Sequence, residues 1–195
     1  MTVVSAIIDG NVCIFSSDSG SFSEESVSIR SNSKIFSKTI EGAGNCLIGF
    51  AGTFAICQWI KFLEFPPCPP NILSMEQYLV QLLQPFLAKS LRKRWKKAEG
   101  HEAEVDVTDY VLLLGMHGCL YTLYSNGDVE KASANNSMFC FASIGSAGEV
   151  SNAGMYSIQS CNSTLTSWEI LEAGMKNAEK FSLHVRAPFD VKYIF

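Results

Sequence analysis

The chain has 195 residues, 47% of them hydrophobic and 17% charged, with a formal net charge of −4, a length and balance that suit one globular domain over residues 1–195. So weak a negative charge excludes any general electrostatic attraction to nucleic acid or an anionic membrane. No apolar run approaches the roughly 20 residues of a spanning helix, and Met1-Thr-Val-Val-Ser-Ala-Ile-Ile8 lacks the basic start of a signal peptide, so a soluble, cytoplasmic protein is expected.

Residues 2–9 and 12–17 are β-rich runs joined by Asp9-Gly10-Asn11, the turn chemistry of a tight hairpin because Gly and Asn tolerate positive φ. A serine-rich polar stretch follows from Ser16 to Ser28. Ser33 to Thr39 and Asn45 to Phe50 read as two further strands about the turn Glu41-Gly-Ala-Gly44. Ala51-Gly52 opens a helical pattern to about Leu63, which Pro66-Pro67-Cys68-Pro69-Pro70 stops. A longer helix is predicted from Ser74 to about Ala98, with the capping-box pattern Ser74-Met-Glu-Gln77 at its start. Tyr78, Leu79, Leu82, Leu83, Phe86 and Leu87 form its apolar stripe, and Pro85 predicts a kink or a split. The basic run Leu91-Arg-Lys-Arg-Trp-Lys-Lys97 reads as a solvated helix face or a contact with a neighbour.

A polar, acidic loop is expected over 99–108. Val111 to Leu114 and Cys119 to Tyr124 pair about Met116-His-Gly118, and Asn126-Gly127-Asp128 makes the next turn. Strand-like Phe139 to Ile144 leads through Gly145-Ser146-Ala147-Gly148 into a third helix ending near Ser160. Thr166-Ser-Trp-Glu169 is a capping box for a fourth helix to about Lys180, and Phe181 to Val185 and Val191 to Phe195 read as closing strands. Blocks of strands and helices segregated in this way argue for α+β architecture rather than alternating βαβ units.

The seven cysteines (13, 46, 57, 68, 119, 140 and 161) show no metal-ligand spacing, and most lie in apolar runs such as Val12-Cys13-Ile14, as reduced, buried thiols do. The three histidines (101, 117 and 184) do not cluster in sequence. No metal or cofactor is expected, and no nucleotide motif is present.

Three polar residues stand out by position. Thr2 becomes the chain terminus if Met1 is removed, Asp18 ends the second strand within Ser16-Ser-Asp-Ser19, and Lys34 lies in Ser33-Lys-Ile-Phe36, each sixteen residues from the last. Taken singly, they are a chain end, a turn residue and a strand lysine. Their joint spacing resembles that of the Ntn-hydrolases of the proteasome β-subunit and HslV protease family, which begin with a mature threonine. Gly49-Phe-Ala-Gly52, Leu91-Arg-Lys, Asn126-Gly-Asp-Val129 and Ile144-Gly-Ser146 also fall in order where that family has like segments.

The resemblance implies a four-layer αββα sandwich and a threonine endopeptidase, provided Met1 is removed. It also implies a homo-oligomeric ring that degrades unfolded polypeptide with an ATP-driven unfoldase as partner. Thr2 would be the nucleophile, with its own α-amine as base. That amine titrates near ~7.7–8.0 when unperturbed, and a nearby Lys34 cation would favour its neutral form. Asp18 would hold Lys34 by charge-assisted hydrogen bonds. The N–H of Gly52 would stabilise the oxyanion and Ser146 would position the amine, as at the matching family positions. Departures are Val3 after the threonine, Gly145-Ser146-Ala147 for Gly-Ser-Gly, the proline-rich insert at 66–70 and a loosely matching C-terminus. Two other functions stay open: a non-catalytic ring or scaffold subunit, and an Ntn amidohydrolase acting on a small amide.

Overall fold

A computed structural model describes residues 2–23, 26–29, 33–99, 110–133, 139–161 and 164–195. The hairpin read from Asp9-Gly10-Asn11 is present as β1 (Val4–Asp9) and β2 (Val12–Ser17), with Gly10 at φ 59°. These two strands form the middle of a four-stranded sheet. β10 (Cys140–Ile144) flanks β1, and β11 (Asp190–Ile194) flanks β2, every neighbour antiparallel. A second, five-stranded sheet runs in the order β5 (Ile35–Ile40), β6 (Gly44–Gly52), β7 (Tyr110–Met116), β8 (Cys119–Tyr124) and β9 (Val129–Lys131), again antiparallel throughout.

The two-residue period of a strand explains how the sheets pack, because alternate side chains leave opposite faces. Val4, Ala6 and Ile8 of β1 and Cys13 and Phe15 of β2 meet Leu47, Ala51, Leu113 and Leu120 of the second sheet. Gly49 and Gly115 open that interface to Phe15, since a Cβ would stand 3.2 Å and 2.6 Å, respectively, from the nearest carbons of its ring. On the far side of the second sheet, Cys46, Ile48, Phe50, Leu112 and Leu114 pack against the helices that follow β6. On the far side of the first, Ile7 packs with Met155, Ile170 and Leu171 of α4 (Gly148–Cys161) and α5 (Ser167–Phe181).

Helix α1 spans Phe54–Phe62 and so begins after the Ala51-Gly52 start that the sequence pattern predicts, because β6 continues through Ala51-Gly52 as far as the partner of Gly52, Tyr110. The long helix predicted from Ser74 is three joined segments: α2 (Met75–Tyr78), a π-helical turn (Leu79–Leu83) and α3 (Gln84–Glu99). The widened turn, in which Gln84 N–H reaches back to Leu79 O, ends two residues before Pro85. It takes up the ladder defect of a proline without ending the helix. Leu79, Leu83, Leu87 and Leu91 form its fully buried stripe, while Arg92 and Arg94 are exposed. The Ser74 hydroxyl caps the start by accepting from Gln77 N–H. At α5 both arms of the Thr166–Glu169 capping box are made.

The sequence reading misses β9, and it misses a hairpin inside the serine-rich stretch, β3 (Gly20–Ser23) with β4 (Ser26–Ile29). Phe181 to Val185 is not a strand. Phe181 ends α5, and the chain then turns so that Val185 is buried with Val3, Ala147, Met175 and Ala178. Beyond Glu99, the loop expected over 99–108 lies outside the described residues. Among the described residues no helix is long and apolar enough to cross a membrane.

Candidate active site

Strands β1 and β2 carry Thr2 and Asp18 to the same end of the first sheet, where the hairpin register sets Val4 opposite Ser17. Asp18 N–H extends the ladder by donating to Val3 O at 3.2 Å. Both residues are buried, Asp18 to 1% exposure and Thr2 to 9%. Lys34 enters from the second sheet, immediately before β5, and is also buried.

The Asp18 carboxylate is the hub. Its Oδ1 accepts from Lys34 Nζ at 2.7 Å, from Val3 N–H at 2.9 Å and from Thr2 Oγ1 at 3.3 Å. Its Oδ2 accepts from Gly20 N–H at 3.0 Å. The Lys34 ammonium donates in addition to Gly20 O at 2.8 Å. A buried carboxylate is costly unless paired and hydrogen-bonded, and here it is both. The arrangement therefore holds a cation and a hydroxyl on one carboxylate oxygen, away from bulk water.

Two glycines make the approach possible. A Cβ on Gly20 would lie 2.5 Å from His184 O and 2.9 Å from Asp18 Oδ2. Gly145 has φ 92°, and a Cβ there would lie 2.2 Å from Thr2 O. The turn between β10 and α4 is thus pressed on the backbone of Thr2, and Ala147 N–H donates to Thr2 O at 3.5 Å. Neither glycine stands out as a site residue in the sequence. The only local signal is glycine beside the motif residue, in Asp18-Ser19-Gly20 and Gly145-Ser146.

The other two predicted site residues are less closely joined. Ser146 is exposed and sits between Gly145 and Ala147, both of which touch Thr2. Among the described residues no hydrogen bond joins its side chain to Thr2. Gly52 is exposed at the end of β6 with φ 126°, a conformation that favours glycine. It lies two residues beyond Phe50, whose N–H donates to Lys34 O at 3.1 Å, so its amide is about 7 Å along the strand from that bond. Among the described residues no group of three or more His, Cys, Asp or Glu side chains is placed to hold a metal ion.

No protein-family profile matches the sequence, and no curated protein is similar to it by sequence. Solved structures are similar in fold. BPH of Thiobacillus denitrificans superposes with a TM-score of 0.72 at 14% identity over 99% of this chain and 97% of its own. The same protein has also been solved in complex with epoxomicin. HslV of Trypanosoma brucei gives a TM-score of 0.64 at 17% identity over 98% of both chains. Anbu of Pseudomonas aeruginosa, solved as a helical assembly, gives 0.65 at 16% identity over 99% of this chain and 81% of its own. At these identities the likeness is one of fold, a mixed α+β arrangement with two antiparallel sheets.

Proposed function

We propose that this chain is an N-terminal threonine peptidase of the proteasome type, built as one four-layer αββα domain. It would cut unfolded polypeptide inside a self-compartmentalised homo-oligomeric ring in the cytoplasm, supplied by an ATP-dependent unfoldase. The observation that carries the reading is the convergence of Thr2 Oγ1 and Lys34 Nζ on one buried oxygen of Asp18. The fold likeness to BPH, HslV and Anbu supports it.

In this reading, removal of Met1 frees the Thr2 amine, which takes the proton from Oγ1 as that oxygen bonds to the scissile carbonyl carbon. The Gly52 N–H receives the oxyanion, and Ser146 steadies the amine. The proton passes to the leaving amine as the C–N bond breaks, and water then hydrolyses the acyl ester to restore Thr2. Lys34 favours the neutral, basic form of the amine by its charge, and Asp18 keeps that lysine ordered.

The reading is tested with chain from which Met1 has been removed, beside its Thr2→Ala variant, on a denatured protein that needs no unfoldase. Hydrolysis by the parent that falls at least about a thousandfold in Thr2→Ala is the expected result. Equal rates would place the chemistry elsewhere. An inert parent with intact fold and ring would replace the reading with that of a non-catalytic ring subunit.

A further inference from the structure

The C-terminal strand carries two charged residues on the face that its partner strand turns toward the core between the sheets. In β11, Asp190 stands opposite Ser17, Lys192 opposite Phe15 and Ile194 opposite Cys13. Paired residues share a sheet face, and Phe15 and Cys13 belong to the core between the sheets, where Ile194 also packs. Asp190 and Lys192 therefore turn toward the second sheet, while Val191 and Tyr193 alternate with them and are exposed. Placing an acid and a base on that face is unfavourable unless both find partners.

Their partners are the two residues that flank Lys34. The Ser33 hydroxyl hydrogen-bonds to Asp190 Oδ2. The same hydroxyl oxygen accepts from Ile35 N–H at 3.0 Å and lies 2.7 Å from Ile35 O. Lys192 Nζ donates to Ile35 O at 2.7 Å. The Lys34 carbonyl is fixed in turn by Phe50 N–H. The strand that pairs with β2 just before Asp18 thus also holds the residue on either side of Lys34, Ser33 by its hydroxyl and Ile35 by its carbonyl.

We propose that Asp190, aided by Lys192, is a positioning residue that sets the Lys34 ammonium on Asp18. The proposal rests on the peptidase reading for its consequence in catalysis, and on geometry alone for its structural content. Neither residue touches Thr2 in any described contact; the effect passes through Ser33 and Ile35.

The test compares Asp190→Ala, Asp190→Asn and Ser33→Ala with the parent and with Thr2→Ala. Crystal structures give the separation of Lys34 Nζ from Asp18 Oδ1, and covalent labelling by a peptide epoxyketone is followed across probe concentrations. In Asp190→Ala and Ser33→Ala the separation should grow past about 3.2 Å, the outer limit of a hydrogen bond. The maximal labelling rate should fall about ten- to a hundredfold, as small misplacements do, with the half-saturating probe concentration unchanged. Asp190→Asn keeps an oxygen acceptor for Ser33 and should restore both readouts. The proposal is overturned if the separation stays at 2.7 Å in Asp190→Ala or Ser33→Ala, or if the asparagine variant fails as the alanine one does. A parent that takes no label would remove the peptidase reading, and the separation alone would then decide the positioning claim.

Discussion

Four donors converge on the Asp18 carboxylate: Thr2 Oγ1, Val3 N–H, Lys34 Nζ and Gly20 N–H. The Lys34 and Asp18 side chains are only 10% and 0% exposed, so water cannot replace a missing partner. Removing one member of a buried pair leaves an uncompensated charge, which typically costs about 3–5 kcal/mol. Lys34→Met should therefore lower the free energy of unfolding by that amount, read from urea denaturation. A variant as stable as the parent would show that backbone donors alone satisfy Asp18. Asp18→Asn should cost at least as much, because it leaves the buried Lys34 ammonium without its counter-charge, and by releasing the lysine it should depress any Thr2 reactivity as well.

At the scale of elements, the two sheets approach through missing side chains as much as through present ones. A Cβ on Gly115 would stand 2.2 Å from Cys13 Sγ and 2.6 Å from Phe15 Cε2. Gly115→Ala should accordingly destabilise by about 1–3 kcal/mol, the usual cost of overpacking, measured as a shift in denaturant midpoint. No shift would mean that Phe15 repacks freely. What the sequence discloses of these elements follows their local chemistry. Asp9-Gly10-Asn11 and the Thr166–Glu169 box act within a few residues, so the first hairpin and α5 can be read directly. β9 has three residues and a single apolar one, too little for a period. Phe181 to Val185 has strand composition, but Val185 is claimed by the cluster around Val3, and α5 keeps Phe181. The same limit holds at the site. Thr2, Asp18 and Lys34 announce themselves by spacing and family likeness, whereas the Ser33–Asp190 contact joins residues 157 positions apart and leaves no local trace.

Over the whole molecule, burial sets the response to alkali. The thiols of Cys13, Cys46 and Cys57 are pushed up by burial from an ordinary 9.0 to about 12. Burial likewise raises the Tyr110 hydroxyl from 10.0 to about 12. These groups stay protonated in the folded chain while the unfolded chain releases its protons. Their contribution to stability is complete below the unfolded values and is lost as pH rises toward 12. The denaturant midpoint should thus fall steadily between pH 9 and pH 12, and a flat midpoint across that window would contradict the burial of these groups. At this scale too, assembly belongs to the peptidase reading: a ring would shelter Thr2 and restrict access to unfolded chains.

The most direct test of the central claim is the intact mass of protein expressed with nothing added before Met1, taken before and after exposure to a peptide epoxyketone. Expected are a mass lacking Met1 and then a single covalent adduct on Thr2, absent in Thr2→Ala. A chain that has lost Met1 and folded but takes no adduct, or one labelled equally in Thr2→Ala, would contradict it.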